Sequence, residues 1–266
     1  MNSFDSSSHD KFYEYYAQAS QTPETLGRFR ALRDTILRVG DVKGLPKGKL
    51  EVVDVGCGAG TQSLVWAELG HNVHGVDINQ PLLELARQRA QTQGYQIDFR
   101  LGSSTEMPWA NGSIDVCIVL ELLEHVTEWQ ACIKECARIV RTGGILFITT
   151  TNKLCPLQNE FNLPVYSWYP DRVKRHFENL AVTTRPDLAN YATYPAVNWF
   201  TFYSLRDALA SYGFSCMDRF EVMDTGTKAL PLQLAVAVIK KVPVLKWLAQ
   251  IASQGSLVLA LKEREL

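Results

Sequence analysis

The sequence predicts a doubly wound α/β fold with a mainly parallel, seven-stranded sheet, helices at the N-terminus and an aromatic-rich cap inserted late in the chain. Three observations carry this prediction. Short β-rich runs alternate with helical stretches from Leu50 onward. Two of those runs, Val52-Val53 and Val116 to Leu120, are apolar at successive positions, as strands covered on both faces must be. The first run passes through a glycine-rich turn straight into a helix.

The elements follow in order. Residues 9–20 and 24–39 have helical spacing, the second through Leu26, Phe29, Leu32, Arg33, Ile36 and Leu37, before Gly44, Pro46 and Gly48 punctuate a loop. Strands are expected at Glu51–Val55, Asn72–Asp77, Gln96–Leu101, Ile114–Leu120 and Ile145–Thr150, with helices starting at Thr61, Pro81 and Glu128. A helix at Ser204–Tyr212, a strand from Phe214 and a last strand at Ser256–Leu261 complete the sheet. Residues 50–152 and 204–266 thus form the core, 1–49 an N-terminal helical cap and 153–203 a substrate-cap insertion, all in one domain. Residues 161–203 hold 11 of the chain's 27 aromatics. Pro164, Pro170, Pro186 and Pro195 in the same segment argue against a long regular helix and for a loop-rich cap. Residues 228–253 carry Lys228, Lys240, Lys241 and Lys246 with no acid, and read as a helical hairpin at the sheet edge or as a weak peripheral membrane contact.

Composition sets the outer limits. The chain of 266 residues is 46% hydrophobic and 21% charged with a net charge of -1, which excludes disorder and a general field for nucleic acid. Six cysteines without a C-x-x-C pair, and a first stretch without a basic segment ahead of an apolar one, point to a reduced, cytoplasmic protein. The longest nearly apolar run, Ala229 to Ile239, is short of the ~20 residues a spanning helix needs.

The chemistry starts at Val53-Asp54-Val55-Gly56-Cys57-Gly58-Ala59-Gly60-Thr61, a Rossmann-like turn in which a ligand can approach backbone N–H groups at a helix N-terminus. Thr61 stands where a dinucleotide site more often has a third glycine. Asp77 ends the second strand and can accept both hydroxyls of a ribose, with Asn79 better placed to cap the next helix. These residues resemble motif I and the acidic motif II of class I S-adenosylmethionine-dependent methyltransferases. Leu120-Glu121-Leu122-Leu123-Glu124-His125-Val126 and the run Ile139 to Asn152 extend the likeness to the UbiG-type O-methyltransferases of ubiquinone synthesis, over roughly residues 50–152.

The resemblance implies S-adenosyl-L-methionine as cofactor and assigns roles by position. Gly56 and Gly58 line its methionine part, Asp54 holds the loop and the ammonium, and Asp77 binds the ribose. Ile78 packs on the adenine and Leu120 contacts the cofactor. An arginine of the N-terminal helix, Arg33 ahead of Arg28 and Arg30, pairs with the carboxylate. Where related sequences place an acid for the adenine, this chain has Ser103-Ser104 after Gly102, and these serines or the backbone after them take that contact.

Glu121, Glu124 and His125 follow the fourth strand at i, i+3 and i+4, so one helical turn would bring them onto one face. Such a trio can hold Mg²⁺ or Mn²⁺ and lower the pKa of an acceptor hydroxyl. Alternatively His125 acts as general base without a metal, or the turn is structural. Tyr166, Trp168, Tyr169, Tyr194, Trp199, Phe200 and Tyr203 can sandwich a planar acceptor and Arg172, Lys174, Arg175 and His176 an anionic group, unless they only pack the cap. The expected function is methyl transfer to a hydroxyl of a small aromatic, quinol-like or polyketide-like molecule. C- or N-methylation, a nicotinamide-dependent oxidoreductase and a silent cofactor-binding module are the alternatives.

Overall fold

A computed structural model describes residues 19–192, 194–226 and 228–264. The helix expected over 9–20 falls almost wholly outside them. Seven strands form one sheet: β1 (Glu51–Val55), β2 (Asn72–Asp77), β3 (Ile97–Leu101), β4 (Ile114–Leu120), β5 (Val140–Thr151), β6 (Phe214–Asp218) and β7 (Gly255–Lys262). Their spatial order is β3-β2-β1-β4-β5-β7-β6, parallel throughout except for β7, which runs antiparallel to β5 and β6. The doubly wound, seven-stranded fold read from the alternation of elements is therefore the fold observed.

Period-two alternation within the central strands builds two cores at once. Val53, Val55, Cys117, Val119, Leu146 and Ile148 face one side of the sheet, beneath helices α4 (Trp129–Ile139) and α6 (Phe202–Ala210). Val52, Val116, Ile118, Ile145 and Phe147 face the other, beneath α1 (Pro23–Lys43) and α2 (Thr61–Ala67), which contribute Ile36, Val39 and Trp66. Each fully buried aliphatic side chain adds roughly 1.5–3 kcal/mol of burial free energy. Helix α3 (Gln80–Thr92) seats Leu83, Ala86 and Ala90 against Leu64 and Phe99.

Several boundaries moved for identifiable reasons. Strand β5 begins at Val140 rather than Ile145, because a bulge between Ile114 and Val116 lets the β4–β5 ladder continue back to Val140. Helix α6 starts two residues before Ser204, which is not its cap but the N3 partner of Thr201 in a capping box. The cap expected without a long helix contains the 13-residue α5 (Asp171–Thr183). Its prolines flank that helix instead of interrupting it, Pro170 before the first turn and Pro186 beyond the last. The hairpin expected between the last two strands is present as α8 (Leu230–Lys241) and α9 (Pro243–Ile251), after the single turn α7 (Arg219–Val222).

The tightest joint is the start of α2. Gly60 has φ +75°, and a Cβ there would lie 2.9 Å from both Ala86 Cβ and Phe99 Cζ. A side chain at this position meets a left-handed backbone and a packed wall together, so Gly60→Ala is expected to cost roughly 2–4 kcal/mol. Urea denaturation checks this as a lowered midpoint at unchanged slope.

Candidate active site

All four parallel strands at the centre of the sheet end on one edge, and the turn after β1 lies there. The turn is pinned by its neighbour strand. Gly56 N and Cys57 N donate to Val76 O (2.8 and 3.1 Å), and Gly58 N donates to Asp77 Oδ2 (2.8 Å). The other Asp77 oxygen accepts from Asn79 N (2.8 Å), while Asn79 Oδ1 caps α3 by accepting from Leu82 N (3.2 Å). Asp77 therefore sets the loop's position, and Asn79 takes the capping task. Gly56, with φ +73°, passes so close to Leu122 that a Cβ would lie 2.8 Å from Leu122 Cδ1.

Beneath the turn, Asp54 is buried and accepts a 2.7 Å hydrogen bond from Ser63 Oγ in the first turns of α2. Burial pushes its carboxyl up to about 7, with the Asp77 carboxylate adding to the rise and the Ser63 bond opposing it. Burial also raises Asp77. Two desolvated carboxyls at one glycine turn favour a cationic ligand, such as one carrying an ammonium or a sulfonium. Ile78 is largely exposed and Leu120 half-buried beside the turn. Ser103 Oγ accepts from Thr105 N (3.1 Å) in the loop after β3, and Ser104 lies beside Cys132.

The arginine expectation is corrected. Arg33 is buried, but its Nη1 donates to Val65 O (2.8 Å) and Glu68 Oε2 (3.3 Å), and its Nε to Asp34. Those acceptors lie past the first turn of α2, away from the glycine turn. Arg30 pairs with the same Glu68 and Arg28 stacks over Phe29. The cation that meets the turn is Arg89 of α3, whose buried Nη1 donates to Ala59 O (3.1 Å) and Thr61 Oγ1 (3.4 Å). Its signal was positional, since 82, 86 and 89 fall on the buried stripe of an amphipathic helix.

The metal expectation is corrected as well. Leu123–His125 form a 3-10 turn, and Glu121 before it has φ +47°, so the α-helical turn expected to align Glu121, Glu124 and His125 is absent, although the Glu121 and Glu124 carboxyls still meet. Glu124 points inward, fully buried, with Oε2 accepting from Thr150 Oγ1 (2.7 Å). Burial and the Glu121 carboxylate hold it well above the usual carboxylate range. Among the described residues no three His, Cys, Asp or Glu side chains are placed to hold one ion. The trio does not fit a divalent cation.

What gathers around Glu121 is different. His125, Glu160 from the cap and Arg219 from α7 all feel its charge. Burial lowers the His125 pKa below its ordinary value, against the backbone carbonyls of Tyr194 and Pro195 that favour the charged ring. Its Nδ1 is buried with no partner among the described residues. Burial, and then Glu121, push Glu160 up to about 7. Arg219 donates through Nη2 to Gly255 O, and its buried Nε has no partner among the described residues.

The cap mostly packs on itself. Tyr166 is fully buried, stacked on Phe161 and edge-on to Trp199, and Lys174 Nζ donates to Ser167 O (2.8 Å) under the Trp199 ring. Phe200 meets Trp129 in the main core. Trp168, Tyr191 and Tyr194 are the exposed aromatics of the cap among the described residues.

Comparison with known proteins places this geometry. Residues 53–148 match the profile of the family described as a methyltransferase domain. The chain is 34% identical over 148 residues to the ubiquinone biosynthesis O-methyltransferase of Idiomarina loihiensis, covering 54% of this chain and 61% of that one. It is 39% identical over 106 residues to the enzyme of the same name from Xanthomonas euvesicatoria, covering 38% and 43%. The chain thus spans about half the length of the curated relatives it matches. Among solved structures, the YcgJ protein of Bacillus subtilis aligns with a TM-score of 0.55 at 13% identity over 87% of this chain and 99% of that one. Geranyl diphosphate methyltransferase in complex with SAM aligns with 0.51 at 16% over 90% of each. Those two likenesses speak to the fold. The resemblance read over residues 50–152 is borne out as a likeness: residues 53–148 match a methyltransferase-domain profile, and the sequence is similar to ubiquinone biosynthesis O-methyltransferases.

Asp54 makes the stability of the site pH-dependent. Its native pKa of about 7 lies above its unfolded value, so the native state binds more protons, and stability falls as pH rises from about 4 through 7. Glu160 acts in the same direction. The thermal midpoint is expected to drop across that window, and Asp54→Asn to flatten the drop, in melts from pH 4 to 8.

Proposed function

We propose that the chain is an S-adenosylmethionine-dependent O-methyltransferase acting on a hydroxyl of a small aromatic or quinol-like molecule. One observation carries this reading. A glycine turn locked to a strand-end carboxylate, Asp77, over a second buried carboxyl, Asp54, occurs within the segment that matches the methyltransferase profile. The residues fit the cofactor: Asp77 has lone pairs to spare for ribose hydroxyls, and the turn lets a ligand lie against backbone. The names of the curated relatives support oxygen as the acceptor atom and a quinol as its class. The nicotinamide alternative has no comparable support.

When bound, S-adenosylmethionine supplies an electrophilic methyl carbon on sulfur. The chain must then align an acceptor oxygen with that carbon and take away its proton. His125 suits the second task. Its lowered pKa leaves it neutral at pH 7, and its unpaired Nδ1 is free to accept a proton as the oxygen bonds to carbon. Arg219 Nε–H, which has no partner among the described residues, can orient the acceptor or stabilise a developing phenolate. Glu160 closes the cap side of the same cluster. Nucleic acid is not the partner in this reading.

Calorimetry with S-adenosylhomocysteine is expected to show binding that Asp77→Ala weakens about 10- to 100-fold, as the loss of charge-assisted hydrogen bonds requires. No binding by the unaltered chain sinks the proposal. With a catechol or hydroquinone acceptor, His125→Ala is expected to lower kcat about 10²- to 10⁴-fold and to remove the acid limb of the pH profile. Glu160→Gln should shift that limb without removing it. EDTA is expected to leave turnover unchanged, and a requirement for Mg²⁺ or Mn²⁺ would show that ligands outside the trio hold a metal.

A further inference from the structure

The α8–α9 hairpin departs from the rule that a helix buries one face. Leu230 is 65% exposed, Leu234 59%, Val244 66%, Trp247 45% and Leu248 50%. Of the two helices, only Val236 and Gln250 are buried. So many exposed apolar side chains on one hairpin mark a contact with something else.

Its surroundings narrow the choice. Lys228, Lys240 and Lys241 are exposed at the two ends of α8, and no Asp or Glu occurs from residue 225 to 262. Apposing two copies of this face would bring like charges together, which disfavours self-association. Aliphatic side chains, a tryptophan and a lysine rim without acids instead suit a bilayer surface bearing anionic phospholipid. Among the described residues no helix is long and apolar enough to cross a membrane, so contact would be in the interface plane.

The hairpin is also held firmly in one pose. Asn152 Nδ2, just past β5, donates to Gln250 O and Ser253 O (2.7 Å each). The buried Asp218 at the end of β6 accepts from Gln250 Nε2 (3.2 Å) and pairs with Lys246 Nζ (3.0 Å). Both anchors lie on the sheet edge that carries the glycine turn and the Glu121 cluster. A surface docked on the hairpin is therefore adjacent to that edge.

We infer that the α8–α9 hairpin is a peripheral docking face for anionic bilayers. This inference does not depend on the methyl-transfer reading, and its test uses no cofactor. The full chain is floated with vesicles of phosphatidylcholine alone and of phosphatidylcholine mixed with phosphatidylglycerol. Flotation with the mixed vesicles, lost at high salt, is the expected result. The double variant Leu234→Glu, Val244→Glu should abolish it at an unchanged thermal midpoint, since both side chains are in solvent. Each of Lys240→Ala and Lys241→Ala should lower partitioning about fivefold. Failure to float with either vesicle overturns the proposal, as does undiminished flotation of the glutamate variant. A concentration-dependent dimer in sedimentation velocity that the glutamate variant dissolves would assign the face to a second copy and overturn it equally.

Discussion

Two hydrogen bonds to one carboxylate organise this molecule's working edge. Asp77 receives Gly58 N–H on one oxygen and Asn79 N–H on the other, so the turn after β1 and the start of α3 are fixed to a single group at the end of β2. Because β2 is itself paired with β1 along five residues, the turn is held from both sides. Asp54 and Ser63 then tie the strand to the helix below it, and Arg89 reaches the turn's carbonyl from α3. The arrangement gathers two carboxyls where little water can solvate their charged forms. That is unfavourable in the free protein, and it is the condition under which a cationic ligand gains most from binding.

The second half of the site is built differently. The Glu121 cluster draws on the segment just after β4 for Glu121 and His125, the cap for Glu160 and α7 for Arg219, elements far apart in the chain. Burial moves its groups in different directions: the neighbouring Glu124 carboxyl is pushed well above the usual carboxylate range, His125 is lowered and Glu160 is pushed up to about 7. Groups whose environments push their proton affinities toward the middle of the pH scale are suited to moving protons. The left-handed backbone at Glu121 is the local irregularity that replaces a helical turn at the end of β4.

What could be read from the sequence divides along the same line. Strands β1, β2 and β4, the turn and Asp77 were legible, because alternation, apolar runs and glycine spacing are local signals. The hairpin between β6 and β7 was legible from its lysines and its apolar spacing. Arg219 was not, and the polar run around Glu160 suggested a pocket contact without a partner, since only tertiary folding brings both residues beside Glu121. Arg33 misled for a similar reason: an arginine on the right helix was visible, but its capture by Val65 O and Glu68 depends on how α1 crosses α2. The Glu-Leu-Leu-Glu-His spacing suggested one face because an α-helical turn was assumed, whereas a 3-10 turn after a positive φ sends Glu124 into the core.

The antiparallel β7 has a consequence for how the chain reaches its final form. It lies between β5 and β6, pairing with β5 from Ile145 to Thr151 and with β6 from Phe214 to Asp218. Strand β5, central and wholly apolar on both faces over Ile145–Ile148, thus lacks its second neighbour until roughly a hundred further residues have been made. Through that interval its open edge is the most adhesive surface of the nascent chain, and early assembly has to proceed on the β3-β2-β1-β4 side. Synthesis order and spatial order part company here, and the late strand acts as a wedge that converts a half-sheet into the finished one.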